Sequence, residues 1–279
     1  YDTKVKMTWD DNYFYFGAYM EDPHVWATIT DRDAVVYKDN DFEIFLDPDG
    51  DTHNYYELEV NAFETEWDLM LLKPYHDGPD VALDSWDIPG LITKVHIDGT
   101  INNPRDMDKS WSVEVAIPWT AFSGNFRSNN SPKDGEDWKV NFSRVHWETD
   151  IINGKYVKKD KPEFNWVWSP QGLISMHMPE RWGLVRFREK KQKEKIKFFS
   201  SDIDNARWAI RQIYYYQGNY FLENKRYAAS ANELGLAKSP VKNIQWDPQI
   251  FITPSGWEAS ISNNGNKIII RKDGKVWAE

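Results

Sequence analysis

The sequence predicts a mainly β protein: an antiparallel β-sandwich followed by a small α+β domain, a long helix on an antiparallel sheet. Three observations carry this reading. Between residues 12 and 187 apolar and polar residues alternate in short runs, clearest in SWSVEVAI (110–117) and DWKVNFSRV (137–145), the period of a strand with one face buried. Turn chemistry separates the runs at Asp47-Pro48-Asp49-Gly50, Asp98-Gly99 and Asp134-Gly135, pairs that favour tight reversals. The period then changes: Ala206, Ala209, Ile210, Ile213, Gln217, Tyr220 and Phe221 fall at helical spacing.

In chain order, strands are expected at residues 12–21, 41–47, 54–61, 66–72, 92–98, 110–117, 137–147 and 182–187. Eight or nine short strands with almost no helix suggest two packed sheets. The long helix is expected to be capped by Asp202 or Asp204 and to end near Asn224. A second short helix is expected near 228–234. Strands follow at 249–253, 256–262 and 267–271, separated by Asn263-Asn264-Gly265 and closed by Asp273-Gly274, both hairpin signals.

Charge divides the 279 residues unevenly. Residues 1–188 carry 19 Lys+Arg and 34 Asp+Glu, 19 − 34 = −15, and the remainder carries 15 and 10, 15 − 10 = +5. The seam, residues 188–195 (REKKQKEK), has no apolar residue and reads as solvated. The expected organisation is a sandwich over 1–188, a linker over 189–200 and an α+β domain over 201–279.

The total net charge of −10 argues against a general nucleic-acid binder. No apolar run approaches the roughly 20 residues that span a bilayer. The first residues, Tyr1-Asp2-Thr3-Lys4, do not read as a signal peptide. With no cysteine, disulfides, thiolate metal sites and a cysteine nucleophile are excluded. Dinucleotide, P-loop, nucleophile-elbow and zincin motifs are absent, and the six histidines have no ligand spacing. A pair of carboxylates suffices for glycoside hydrolysis, and the many acidic residues neither exclude nor indicate it.

Two features point to function. The chain holds 15 Trp, 14 Tyr and 14 Phe, more aromatic surface than a core requires. Indole and phenol faces stack on sugar rings while carboxylates and amides meet the hydroxyls. Each such ring is also a candidate core residue. In addition, Asp47, Asp49 and Asp51 alternate around Gly50, placing hard oxygens on one side of a turn, as calcium requires; an acidic turn without metal has the same composition.

Residues 8–26 (TWDDNYFYFGAYMEDPHVW), 31–62, 111–119 (WSVEVAIPW), 138–147 (WKVNFSRVHW) and 165–187 resemble the family-9 carbohydrate-binding modules, in particular the family-9-like proteins of bacterial polysaccharide users. The resemblance implies a β-sandwich that binds oligo- or polysaccharides without cleaving them, outside the cytoplasm, often beside a glycoside hydrolase and sometimes with bound calcium. Family members clamp a sugar between two tryptophans next to a glutamate. Here Tyr37 stands at the first tryptophan and Glu43 at the glutamate, Met176 falls at the second tryptophan, and Glu59 at a family arginine. Trp147, Trp166, Trp168 and His177 are further candidate platform residues. An Asp/Glu-dependent glycoside hydrolase and an interaction module that has lost the sugar site are the alternatives. Residues 205–235, with Q-x-x-Y-F-x-x-N-x-x-Y at the helix end, and the hairpin sheet that follows resemble the globular half of type IV pilins and pseudopilins.

Overall fold

The alternating runs form strands at nearly the expected positions. The structure, a computed structural model, describes residues 1–79, 81–123, 131–189 and 200–279. In chain order the strands are β1 (Thr3–Trp9), β2 (Tyr13–Glu21), β3 (Asp41–Asp47), β4 (Tyr55–Asn61), β5 (Glu66–Leu71), β6 (Ala82–Leu83), β7 (Ile92–Asp98), β8 (Ser110–Pro118), β9 (Asp137–His146), β10 (Thr149–Ile152), β11 (Lys155–Lys158), β12 (Phe164–Val167) and β13 (Gly183–Arg186). The helix α1 (Asp202–Asn224) follows, then β14 (Gln249–Thr253), β15 (Gly256–Asn263), β16 (Asn266–Arg271) and β17 (Val276–Ala278).

Two antiparallel sheets make the sandwich. One has the order β1-β2-β8-β7; the other runs β12-β9-β3-β4-β5-β6, with β13 also on β9. Alternate residues of β2 (Phe14, Phe16, Ala18, Met20) and β8 (Trp111, Val113, Val115, Ile117) meet Phe42, Ile44, Leu46, Tyr56, Leu58 and Val60 of β3 and β4 in one core. A second cluster lies on the other face of the larger sheet, where Phe45, Tyr55, Leu69 and Leu71 pack under Val36 and Trp182 from loops. Strands β3 and β4 are therefore buried on both faces, which places their alternate acidic residues in the interior.

Three expectations change. The side chain of Ser201, not Asp202 or Asp204, caps α1 by accepting the Asp204 N–H at 3.0 Å; the two acids sit in the first turn, where they favour the helix dipole. Residues 228–234 form turns and no helix. The Gln217 side chain accepts the Ala228 N–H (2.9 Å) and donates to the Ala228 carbonyl (2.8 Å), an oxygen that would otherwise accept the first bond of a helix starting there. Strands β1, β6, β10, β11, β12 and β17 are additional to those expected; all but β1 are four residues or shorter. Most of the expected linker, residues 190–199, lies outside the described residues.

The C-terminal elements have their own core, Ala206, Ile210 and Ile213 of α1 against Trp257, Ala259, Ile261, Ile268 and Ile270 of the β14-β15-β16-β17 sheet. They also grip the turn after β3. Arg207 donates to the Asp49 carbonyl (2.8 Å), Arg211 to the Thr52 hydroxyl (2.9 Å), and the Val276 N–H to the Asp51 carbonyl (3.1 Å). Lys275 pairs with Asp51 at 2.8 Å, and Lys139 of β9 pairs with Asp204 at 2.8 Å.

Candidate functional site

The outer face of the larger sheet gathers acids because of strand period. In DFEIFLD and YYELEVN Phe42, Ile44, Leu46, Tyr56, Leu58 and Val60 fill one face, leaving Asp41, Glu43, Glu57 and Glu59 on the other beside Phe45 and Tyr55. Register then aligns them. Glu43 stands opposite both Glu59 on β4 and Ser143 on β9, and Glu57 stands opposite Phe45. Like charges directly across a ladder repel, and burial removes the water that would screen them. Glu43 is 3% exposed. Its carboxyl is pushed up to about 7, chiefly by burial. Burial also raises Asp41, Glu57 and Glu59 well above the ordinary carboxylate range, with neighbouring carboxylates adding to the shift.

Aromatic rings border this floor. Tyr37, on the turn that precedes β3, is 38% exposed, and its backbone N–H donates to Glu59 Oε2 at 2.8 Å. Tyr75, in the loop after β5, is 47% exposed, and the carboxylates of Glu57 and Glu59 and the phenol of Tyr37 all act on its hydroxyl. Both rings thus edge the same acids. His177 closes the far side: its ring centroid is 4.5 Å from that of Tyr75, its Nδ1 lies 2.9 Å from the Tyr55 hydroxyl and its Nε2 3.9 Å from Glu57. Burial lowers His177 to about 3, so it is a neutral hydrogen-bonding group at physiological pH. The loop holding it is anchored by Trp182, whose Nε1 donates to the Met176 carbonyl at 2.8 Å.

Of the six candidate sugar residues, four surround this face. Trp147 supports rather than lines it: its Nε1 donates to the Tyr37 carbonyl at 2.8 Å, and Lys158 Nζ lies 4.1 Å from its ring centroid. Trp166 and Trp168 lie elsewhere. Register pairs Trp166 with Arg144, whose side chain points between the sheets to Asp22 at 3.1 Å. The two tryptophans line a separate groove of about 440 Å³ at the open edge of the sandwich, with Tyr1, Met7 and Phe142. Trp166 there stacks on His146 with ring centroids 5.1 Å apart. Tyr75 and Glu57 were missed. The i, i+2 acids of β4 were a visible signal, but nothing in the sequence marks this face as covered.

The turn carboxylates Asp47, Asp49 and Asp51 do converge, yet other groups occupy them. Asp47 accepts the N–H groups of Gly50 and Thr52, Asp49 that of Asp51, and Asp51 that of His53 together with the Lys275 ammonium. These carboxylates thus brace the turn, and each oxygen that accepts one N–H keeps a further lone pair.

A family model, carbohydrate family 9 binding domain-like, matches residues 1–142. The chain belongs to this family. Tyr37, Glu43, Glu57, Glu59 and Tyr75 fall within the matched part, whereas Trp147, Trp166, Trp168 and His177 lie beyond it. The family-9-like fold is also similar to a crystal structure from Bacteroides uniformis ATCC 8492 that is provisionally described as a carbohydrate-binding protein. It has 18% identity and a TM-score of 0.49, covering 67% of this chain and 78% of that one. No curated protein matches the chain. Among the described residues, no helix is long and apolar enough to cross a membrane.

Proposed function

We propose that this carbohydrate-binding module family member takes a sugar between Tyr37 and Tyr75, over the acids of β3 and β4, and that it does so without catalysis. The observation that carries this reading is the pairing of two half-exposed rings with one set of carboxyl groups. Tyr75 supplies a second ring where Met176 offers none. A pyranose face on each ring gains apolar contact. Sugar hydroxyls hydrogen-bond the floor, whose carboxyls are raised by burial, each such bond contributing about 0.5–1.5 kcal/mol. Asp41, Glu43 and Glu59 each bring an oxygen to within 4.8 Å of the others, so the hydroxyls of one sugar ring can reach all three. The family also supports a place in extracytoplasmic glycan use, as accessory to a glycoside hydrolase acting on the same polymer.

Affinity gels and calorimetry against a polysaccharide panel test the reading. Binding is expected with no release of reducing ends. Tyr37→Ala and Tyr75→Ala should each weaken it about tenfold, or about 1.4 kcal/mol, with little change in melting temperature because both rings are open. New reducing ends would favour the hydrolase, and unchanged affinity in both variants would remove the site.

A further inference from the structure

The C-terminal sheet ends in an unguarded edge. Strand β14 (QIFIT) lies outermost in the order β14-β15-β16-β17. A sheet edge invites pairing with another chain, and proteins blunt it with charge, proline or shortness. The other edges here follow that rule. Strand β1 carries Lys4 and Lys6, β7 carries Lys94 and Asp98, and every other edge strand has four residues or fewer. Among the described residues, β14 is the one edge of five or more residues with neither charge nor proline. Its exposed side chains include large apolar ones: Phe251 is 59% and Ile252 50% exposed. Helix α1 packs on β15, β16 and β17, which leaves β14 outside its cover.

The strand is also complementary to itself. Thr253 and Gly256 close a two-residue turn, so residues 249, 251 and 253 bond to β15 while Ile250 and Ile252 turn their N–H and C=O groups outward. In an antiparallel pair of two copies centred on Phe251, Ile250 of one copy faces Ile252 of the other, and each of these outward groups finds a partner. Phe251 meets its own counterpart at the axis, and Gln249 faces Thr253. No charge opposes a like charge, whereas β1 paired with itself about its centre would set Lys6 against Lys6. Self-complementarity of this kind is what a twofold interface requires.

We propose that two copies of this chain associate about a twofold axis through β14, joining their C-terminal sheets into one continuous sheet. A seam of one short strand pair falls at the low end of interface sizes, so the dimer is a micromolar one. Each copy carries its own sandwich, and a polymer that reaches both binds by avidity without any new contact. The dimer rests on β14 alone, so it holds whether or not Tyr37 and Tyr75 take a sugar.

Analytical ultracentrifugation of the full chain from about 1 to about 200 μM tests this, and a monomer–dimer equilibrium is expected. Ile252→Pro removes an outward N–H without touching the bonds to β15, and Phe251→Lys opposes two ammonium groups at the axis. Each should weaken dimerisation about tenfold or more with an unchanged circular dichroism spectrum. The chain has no cysteine, so a single introduced thiol reports the register. Phe251→Cys should form a covalent dimer on oxidation, since facing residues of an antiparallel pair lie within disulfide reach. Thr253→Cys, which faces Gln249, should not. The proposal is overturned if the parent chain stays monomeric across this range, as it would if the edge served an extended peptide of another protein. It is equally overturned if Ile252→Pro and Phe251→Lys both dimerise like the parent, or if Thr253→Cys cross-links as fast as Phe251→Cys.

Discussion

Trp182 holds the loop that covers the candidate site, and its replacement has a cost that follows from its surroundings. The ring is 2% exposed and packs against Phe45 and Tyr55, with centroids 5.4 and 5.2 Å away. A buried tryptophan removes roughly 150–250 Å² from water, worth about 4–6 kcal/mol at about 25 cal/mol per Å². Partial collapse of the neighbours lowers the net loss for truncation to about 3–5 kcal/mol. Trp182→Ala should therefore destabilise the protein by about 4 kcal/mol. Trp182→Phe keeps a ring but loses the bond to the Met176 carbonyl and some area, so about 1–2 kcal/mol is expected. Urea unfolding measures both, and the slope of stability against urea should stay constant. Sugar affinity should fall in Trp182→Phe even where the protein is fully folded, because the loop carries His177. A loss below about 1 kcal/mol for Trp182→Ala would mean that the loop does not seal this face. Water would then reach Glu43 and Glu57, and the burial that raises their carboxyls would be wrong.

Two further outcomes follow from other buried charges. Asp22→Asn leaves the Arg144 guanidinium, now 3.1 Å from the Asp22 carboxylate, enclosed without a counter-ion, and thermal or urea unfolding should show a loss of about 3–5 kcal/mol. Burial, reinforced by Arg144, lowers His146 to about 4 against an ordinary 6.5. Above pH 6.5 both folded and unfolded chains hold it neutral. As pH falls from about 6.5 to about 4 only the unfolded chain takes the proton, so stability drops by about 2 kcal/mol after solvent screening, and His146→Gln should flatten that part of the pH profile.

The strands were legible because each alternates against a single core, as in β8, where Trp111, Val113, Val115 and Ile117 face inward. The α1 stripe was legible for the same reason at a different period. Strand β12 was not, because its four residues carry aromatic and polar groups without a clean two-residue pattern. The site was half legible. Tyr37 and Glu43 are named by motif, and the structure sets Glu43 on one sheet face with Glu59, with Tyr37 at its border on the preceding turn. Trp166 sits one register step away on the opposite face, a difference of parity that composition does not encode. Tyr75 lies 32 residues after Glu43, and only the pairing of β4 with β5 brings its loop back to the same acids. The Asp47–Asp51 turn carries a composition that fits both readings, because the same Asp side chains that ligate cations also brace tight turns.

The turn after β3 gives the uneven charge of the chain a physical meaning. The first 188 residues are acidic by −15 and the remainder basic by +5, and the basic part delivers Lys275 and Arg207 to the most acidic turn of the sandwich. One end of the molecule thus serves as a tethered counter-ion for the other. A tethered ion does not dilute away, but mobile salt competes with it. At about 0.15 M ionic strength the screening length is about 8 Å, long enough to leave the close Lys275–Asp51 contact intact and short enough to erase the general attraction between the two parts. The seating of the C-terminal elements should therefore depend on close pairs such as Lys275–Asp51 and Lys139–Asp204 rather than on the overall charge of either part, and it should tolerate seawater-like salt better than it tolerates the loss of Lys275.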